Sequence, residues 1–195
     1  MSIQKTSLKL VGMDPSLRNW GIAIAELDLK TNKLRVDKLE LIQPILSNNK
    51  QLRVNSRDLE AATQLFKGAI NAIVGADAIF VEVPVGSQSS RAMASYGICI
   101  GVLGALQITD TPIYEVTPTE VKLAGPGIKT ATKDQMISWA VTRHPEANWP
   151  TKVRYGKTMI AANKAEHQAD AIAAIYAGME SNIFKQLLSM MAVKS

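Results

Sequence analysis

Three apolar segments follow one another directly in the first 42 residues: SLKLVGMD (7–14), WGIAIAEL (20–27) and LRVDKLELI (34–42). Their patterning is that of strands, and DLKTNK between the second and third has the turn chemistry of a hairpin. The chain therefore opens as an antiparallel meander. From about Ser56 the period lengthens. SRDLEAATQLFKGAINAIVG carries apolar residues at helical spacing, and AIFVEV (78–83) is a short continuous apolar run, the pattern of a strand buried on both faces. Gln88 to Gln107 reads as a small-residue helix and TPIYEV (111–116) as another strand. After Thr117, PTEVKLAG has Pro in its first turn and Gly at its end, which punctuates a short helix. Thr132 opens a further helix through about Thr142, and Lys164 to Ala177 reads as the last long one. A meander followed by alternating helices and strands describes an α/β fold with a mixed five-stranded sheet flanked by helices.

A length of 195 residues suits one domain, taken here as 1–195. With 47% hydrophobic and 20% charged residues the chain belongs with folded proteins, not disordered ones. No segment approaches the roughly 20 uncharged apolar residues of a membrane helix. MSIQKTSLKLVGMD lacks the apolar core and small-residue cleavage site of a leader, so a cytoplasmic location with no membrane partner is expected. The single cysteine, Cys99, leaves no disulfide framework or Cys-based zinc site and reads as a small buried hydrophobe.

The net charge of +5 is concentrated. Between Lys122 and Lys164 stand eight basic residues (Lys122, Lys129, Lys133, Arg143, Lys152, Arg154, Lys157, Lys164) against Asp134 and Glu146, leaving the remainder at 14 basic and 15 acidic. Such a patch attracts a polyanion by counterion release, although a solvated lysine-rich face explains it equally well on its own. Within it, residues 143–163 hold Pro145 and Pro150 and show no period, which reads as a basic connecting insertion.

Two acids sit where strands should be apolar: Asp14 at the end of the first and Glu82 inside IFVEVPVG. An acid there must be solvated at a strand end, paired, or bound to a metal. The third element is KAEHQADAIAAIYAG. Its polar residues Glu166, His167 and Asp170 cluster near the helix start, at spacings of three and four that share a face. Each feature alone has a plain structural explanation, such as a helix cap, an arginine partner or attraction to the helix N-terminus. Together they offer oxygen donors suited to magnesium or manganese, and two such ions support in-line phosphoryl displacement.

The segments DPSLRNWGIAIAELD, VEVPVGSQSSRAMASYGICIGVLGAL, TPTEVKLAGPGIKTATKDQMI and EHQADAIAAIYAG resemble, in order and spacing, the RuvC-type Holliday junction resolvases, over about Leu8 to Gly178. The resemblance implies a ribonuclease H-like fold with strand order 3-2-1-4-5, which makes Asp14 and Glu82 neighbours. It implies a homodimer that nicks four-way, and by extension three-way, DNA junctions with magnesium or manganese, about two ions per site. On the matching motifs Asp14, Glu82, His167 and Asp170 look like the catalytic, metal-holding set, and Lys133 like a catalytic lysine near the scissile phosphate. Lys122, Lys129, Lys133, Arg143, Lys152, Arg154 and Lys157 look like DNA contacts.

There are departures from the family. The first motif reads D-P-S where D-P-G is commoner, the PVGSQSS loop lacks an aromatic that some members insert into the junction, and the 143–163 insertion is longer. The loop and the insertion favour a phage or other mobile element in a bacterial host over a cellular origin. In the Gln88–Gln107 helix, Gly97, Gly101 and Ala105 repeat every four residues. They suit either a close helix partner in a dimer or close packing on the helix's own sheet. Competing readings are an actin-like ATPase, which needs a second lobe and phosphate loops not found in this sequence, a non-catalytic junction-binding protein, and a related nuclease acting on RNA.

Overall fold

Alternation along the central strands decides the layers of the molecule. The structure, a computed structural model, describes residues 5–193. Residues 1–4 and 194–195 lie outside it, and with them the start of the segment on which the expectation about a leader rests. Strands β1 (Ser7–Asp14), β2 (Trp20–Asp28) and β3 (Lys33–Ile42) form the meander. Helix α1 (Val54–Ala72), β4 (Ala78–Glu82), α2 (Ser90–Leu106), β5 (Ile113–Val116), α3 (Pro118–Ala124) and α4 (Lys133–Arg143) follow. After them come β6 (Thr151–Arg154), β7 (Lys157–Ile160), α5 (Ala162–Glu180) and α6 (Asn182–Val193). The main sheet has the order β3-β2-β1-β4-β5, with β1 parallel to β4, β4 parallel to β5, and antiparallel pairs elsewhere.

Period-two patterning sends Val11, Met13, Ile22, Ile79 and Val81 to one face, where they pack with Ala61, Leu65 and Ala69 of α1 and Cys99 and Leu103 of α2. Leu8, Leu10, Ala23, Ala25 and Phe80 point the other way, onto Ala165, Ala169, Ile172 and Ile175 of α5 and Met136 and Ala140 of α4. Cys99 is buried as expected, and burial pushes its thiol up to about 12, so it serves as a hydrophobe.

Helix α5 lies unusually close to the sheet because three glycines make room for it. A Cβ on Gly12 would sit 1.9 Å from the Ala171 carbonyl oxygen, one on Gly21 2.1 Å from that of His167, and one on Gly178 1.8 Å from the Phe80 ring. Alanines on α5 serve the same end from the helix side. The helix therefore runs with its start over the ends of β1 and β2, where Asp14 and Gly21 pair, and its last turns over Phe80.

Two features differ from the sequence reading. Residues 143–163 are not a patternless connection: β6 and β7 form an antiparallel hairpin within them. Its two-residue loop, Tyr155-Gly156, has positive φ at both positions (49° and 71°), which suits the twist of a tight hairpin. The alternation in TKVRYGKTMI and the Gly after Tyr155 were the available signal, outweighed by the flanking prolines. The chain also continues past the last expected helix. An extended Ser181 breaks it, and α6 then folds back so that Phe184, fully buried, meets Phe80 and Tyr114 at ring-centroid distances of 5.1 and 5.7 Å.

Candidate metal and nucleic-acid site

Asp14 and Glu82 end neighbouring parallel strands. The β1–β4 register runs to Met13 opposite Val81, so the next residue on each strand is an acid. Strand alternation puts both on the face that carries Leu10 and Phe80, which is the face covered by α5. That helix contributes His167, whose backbone stands over Gly21, and Asp170 one turn further on. The site is thus a rim made by two strand ends and the first turns of one helix.

Its electrostatics are those of crowded acids. Burial, then repulsion from Asp14, raises the Glu82 carboxyl to about 7, with Lys122 opposing. Burial, then Asp14, Glu82 and Glu166, raises Asp170 to about 8. His167 Nδ1 lies 2.6 Å from Asp14 Oδ2, with both side chains about one-fifth exposed. The hydrogen bond to Asp14 holds the imidazole above its usual range against the opposing effect of burial. In this arrangement the imidazole donates to the Asp14 carboxylate.

Three converging carboxyl groups, two of them held above their usual range by burial and mutual repulsion, are hard oxygen donors whose ionised forms call for a cation, and they fit magnesium or manganese. As they lie, no three His, Cys, Asp or Glu side chains among the described residues are gathered tightly enough to hold an ion. The four-residue set expected from sequence is brought to one rim but is not gathered into a tight cluster, and Asp14 is engaged by His167.

The expected basic residues divide. Lys133 occupies the first turn of α4, behind a Thr132–Gln135 capping box, and its Nζ lies 2.5 Å from Glu166 Oε1 on α5. Glu166, given no role from sequence, thereby ties Lys133 to the helix of His167 and Asp170. Lys122, on the capped helix α3 that follows β5, acts electrostatically on Glu82. Lys129 is exposed in the loop between α3 and α4, and Lys152, Arg154 and Lys157 are exposed on the hairpin. Arg143 is exposed as well but has a partner within the chain. Its Nε donates to the Tyr176 hydroxyl at 3.2 Å and its guanidinium lies 5.7 Å from that ring, so it braces α4 on α5.

On the opposite face of the sheet α1 and α2 leave an open apolar groove of about 670 Å³ lined by Leu59, Phe66, Ile98, Gly101 and Val102. A Cβ at Gly97 or Gly101 would meet nothing within 4 Å, so these glycines do not serve packing on their own sheet. The two helices are held by Arg91, whose guanidinium donates to both oxygens of buried Asp58 at 2.5 and 2.6 Å.

No family model matches the sequence, and neither does any curated protein. Solved structures do match. RuvC of T. thermophilus in complex with a Holliday junction substrate superimposes with a TM-score of 0.61 at 17% identity, over 88% of this chain and 96% of that one. The yeast mitochondrial Holliday junction resolvase Ydc2 gives 0.54 at 12%, over 95% and 89%. The fowlpox virus Holliday junction resolvase gives 0.51 at 11%, over 89% and 98%. The chain therefore has a ribonuclease H-like fold. Within that class, its architecture is the one seen in RuvC-type Holliday junction resolvases.

Proposed function

We propose that this protein is a metal-dependent, structure-selective endodeoxyribonuclease that nicks branched DNA, four-way junctions foremost and three-way junctions as well. The observation that carries the reading is the rim where Asp14, Glu82 and Asp170 crowd together, at matching motif positions on a fold shared with junction resolvases. Asp14, Glu82 and Asp170, with His167 beside them, would hold magnesium or manganese, a pair of ions per site, which supplies an activated water and stabilises the leaving oxygen of the phosphodiester. Lys122 and Lys133 border this rim from α3 and α4 and offer positive charge to the phosphate that enters it. Exchange of Glu166 for a phosphate oxygen would bring Lys133 to the strand being cut.

Function as a homodimer is part of the proposal. A four-way junction presents two equivalent strands for cutting, and the open α1–α2 groove with bare Gly97 and Gly101 offers a second copy an apolar face with no Cβ in the way. Action on chromosomal or phage DNA in a bacterial cytoplasm follows from this reading.

The test is cleavage of labelled four-way, three-way and linear duplex DNA and an RNA–DNA hybrid, with magnesium, manganese or chelator, by wild type and Asp14→Asn. Metal-dependent paired nicks in branched DNA by wild type alone are expected. Binding without a product at any manganese concentration would replace the nuclease with a junction-binding protein, and cutting of the hybrid alone would replace the substrate.

A further inference from the structure

The β6–β7 hairpin is built against its own local rules. Tyr155 takes the first loop position with φ of 49°, a left-handed conformation that suits Asn, Asp or Gly and disfavours a bulky ring. The ring is 91% exposed, so it stabilises no core. The register sets Arg154 directly opposite Lys157, a like-charge pair that opposes strand pairing. By alternation Lys152, Arg154 and Lys157 share one face of the ribbon. Residues 151–160 contain no acid, and none of the three cations has an ion pair among the described residues. The guanidinium of Arg154 lies 5.3 Å from the Tyr155 ring centroid, which joins the charge to the aromatic face.

The foot of this ribbon is firmly held. Ala161 N–H donates to the Pro150 carbonyl at 2.8 Å, and the Trp149 indole N–H to the His144 carbonyl at 2.9 Å. The Asn148 side chain accepts from the Leu39 N–H and donates to the Leu39 carbonyl, so it occupies the free edge of β3. From Ile160 the chain passes straight into α5, and His167 lies five residues along that helix, about 8 Å at its rise per residue. The hairpin therefore leads directly into the helix that carries His167 and Asp170.

We infer that the β6–β7 hairpin is a branch-point reader, in which Tyr155 stacks on an unpaired or unstacked base and Lys152, Arg154 and Lys157 hold the adjoining phosphates. The inference rests on the proposed action on branched DNA. An exposed ring beside an arginine is a stacking platform for any base, and stacking discriminates only where a base is out of the duplex. The cations alone would bind all DNA alike. Held on a fixed foot that continues into the helix of His167 and Asp170, the ring would select the strand at the branch for cutting.

The experiment uses the full chain and four-way, forked and linear DNA with 2-aminopurine at the branch nucleotide or at mid-duplex. Tyr155→Ala should weaken binding to four-way and forked DNA by about five-fold or more and abolish the branch-point fluorescence change, while affinity for linear duplex moves less than two-fold. Tyr155→Trp should retain both signals. Tyr155→Asn is the control for folding. It supplies the Asn-Gly loop that this turn favours, so its melting temperature should equal or exceed that of wild type while it loses the branch signal. Branch binding by Tyr155→Ala equal to wild type, or an equal loss on linear and branched DNA, would overturn the inference. Tyrosine-dependent binding confined to structured RNA would overturn it too. Tyrosine-dependent branch binding by a wild type that makes no metal-dependent product would sink the nuclease reading and leave the reader standing.

Discussion

Glu82→Gln should stabilise the metal-free protein, and by an amount that depends on pH. Glu82 is raised from 4.5 to about 7 by burial and by Asp14. At about 1.4 kcal/mol per pKa unit, its ionised form is disfavoured in the fold by about 3.4 kcal/mol, and solvent screening of this partly buried group brings the working figure to about 2–3 kcal/mol. For an acid with a raised folded pKa, the proton-linked stability is fully present below the unfolded value of 4.5 and is lost as pH rises through about 7. Glutamine carries no charge at any of these pH values. The variant should therefore match wild type near pH 4.5 and exceed it by about 2–3 kcal/mol at pH 8, or about 5–10 °C in melting temperature for a chain of this size. Asp170 is present in both proteins, so the difference isolates Glu82 and its repulsions. Thermal melts in chelator at pH 4.5 and pH 8 read it directly. Magnesium or manganese should raise the wild-type midpoint at pH 8 and move the variant less, while cleavage of branched DNA is lost in the variant. Equal midpoints at pH 8, or an equal gain at both pH values, would refute the electrostatic account of the rim.

The other expectations concern the supports of the site. Gly21→Ala drives a Cβ into the His167 backbone and should cost about 2–3 kcal/mol or more in denaturant unfolding, with loss of the Asp14–His167 contact; a variant as stable as wild type would show that the close approach of α5 is not needed. Lys133→Ala removes a solvent-exposed ion pair worth at most about 1 kcal/mol, so melting should barely move. Its single-turnover cleavage rate should fall more than its affinity for DNA, and an equal fall in both would make Lys133 a plain phosphate contact. Gly101→Glu places a charge where a Cβ meets nothing, which should leave the fold intact and convert a dimer to a monomer in sedimentation; a monomeric wild type would remove the groove from the argument.

Much of the fold was legible because its signals are local. Apolar strand patterns mark β1 to β5, Pro118 and Gly125 bracket α3, and Thr132 opens α4; capping boxes at Thr117 and Thr132 form in the structure. The sheet order and the placement of Asp14 and Glu82 agree with the resemblance drawn from the motifs. The hairpin was missed because two prolines outweighed four-residue alternation, and α6 because Phe184 is apolar for the sake of Phe80 and Tyr114, residues far away in sequence. The contact of Arg143 with Tyr176 had no local signal, since the two residues stand 33 apart in sequence.

The sequence by itself determined β1 to β5, α1 to α5 and the acids placed against the apolar pattern, since periodicity and residue chemistry need no distant partner. Only the tertiary structure decided that residues 14, 82 and 170 share one rim, that Lys133 answers to Glu166, and that Tyr155 stands exposed at a hairpin tip. The physical reason is that these relations depend on which strands are neighbours and how near a helix comes. That nearness is set by Cβ atoms missing at Gly12, Gly21 and Gly178, whose meaning appears only when the opposing backbone is in place.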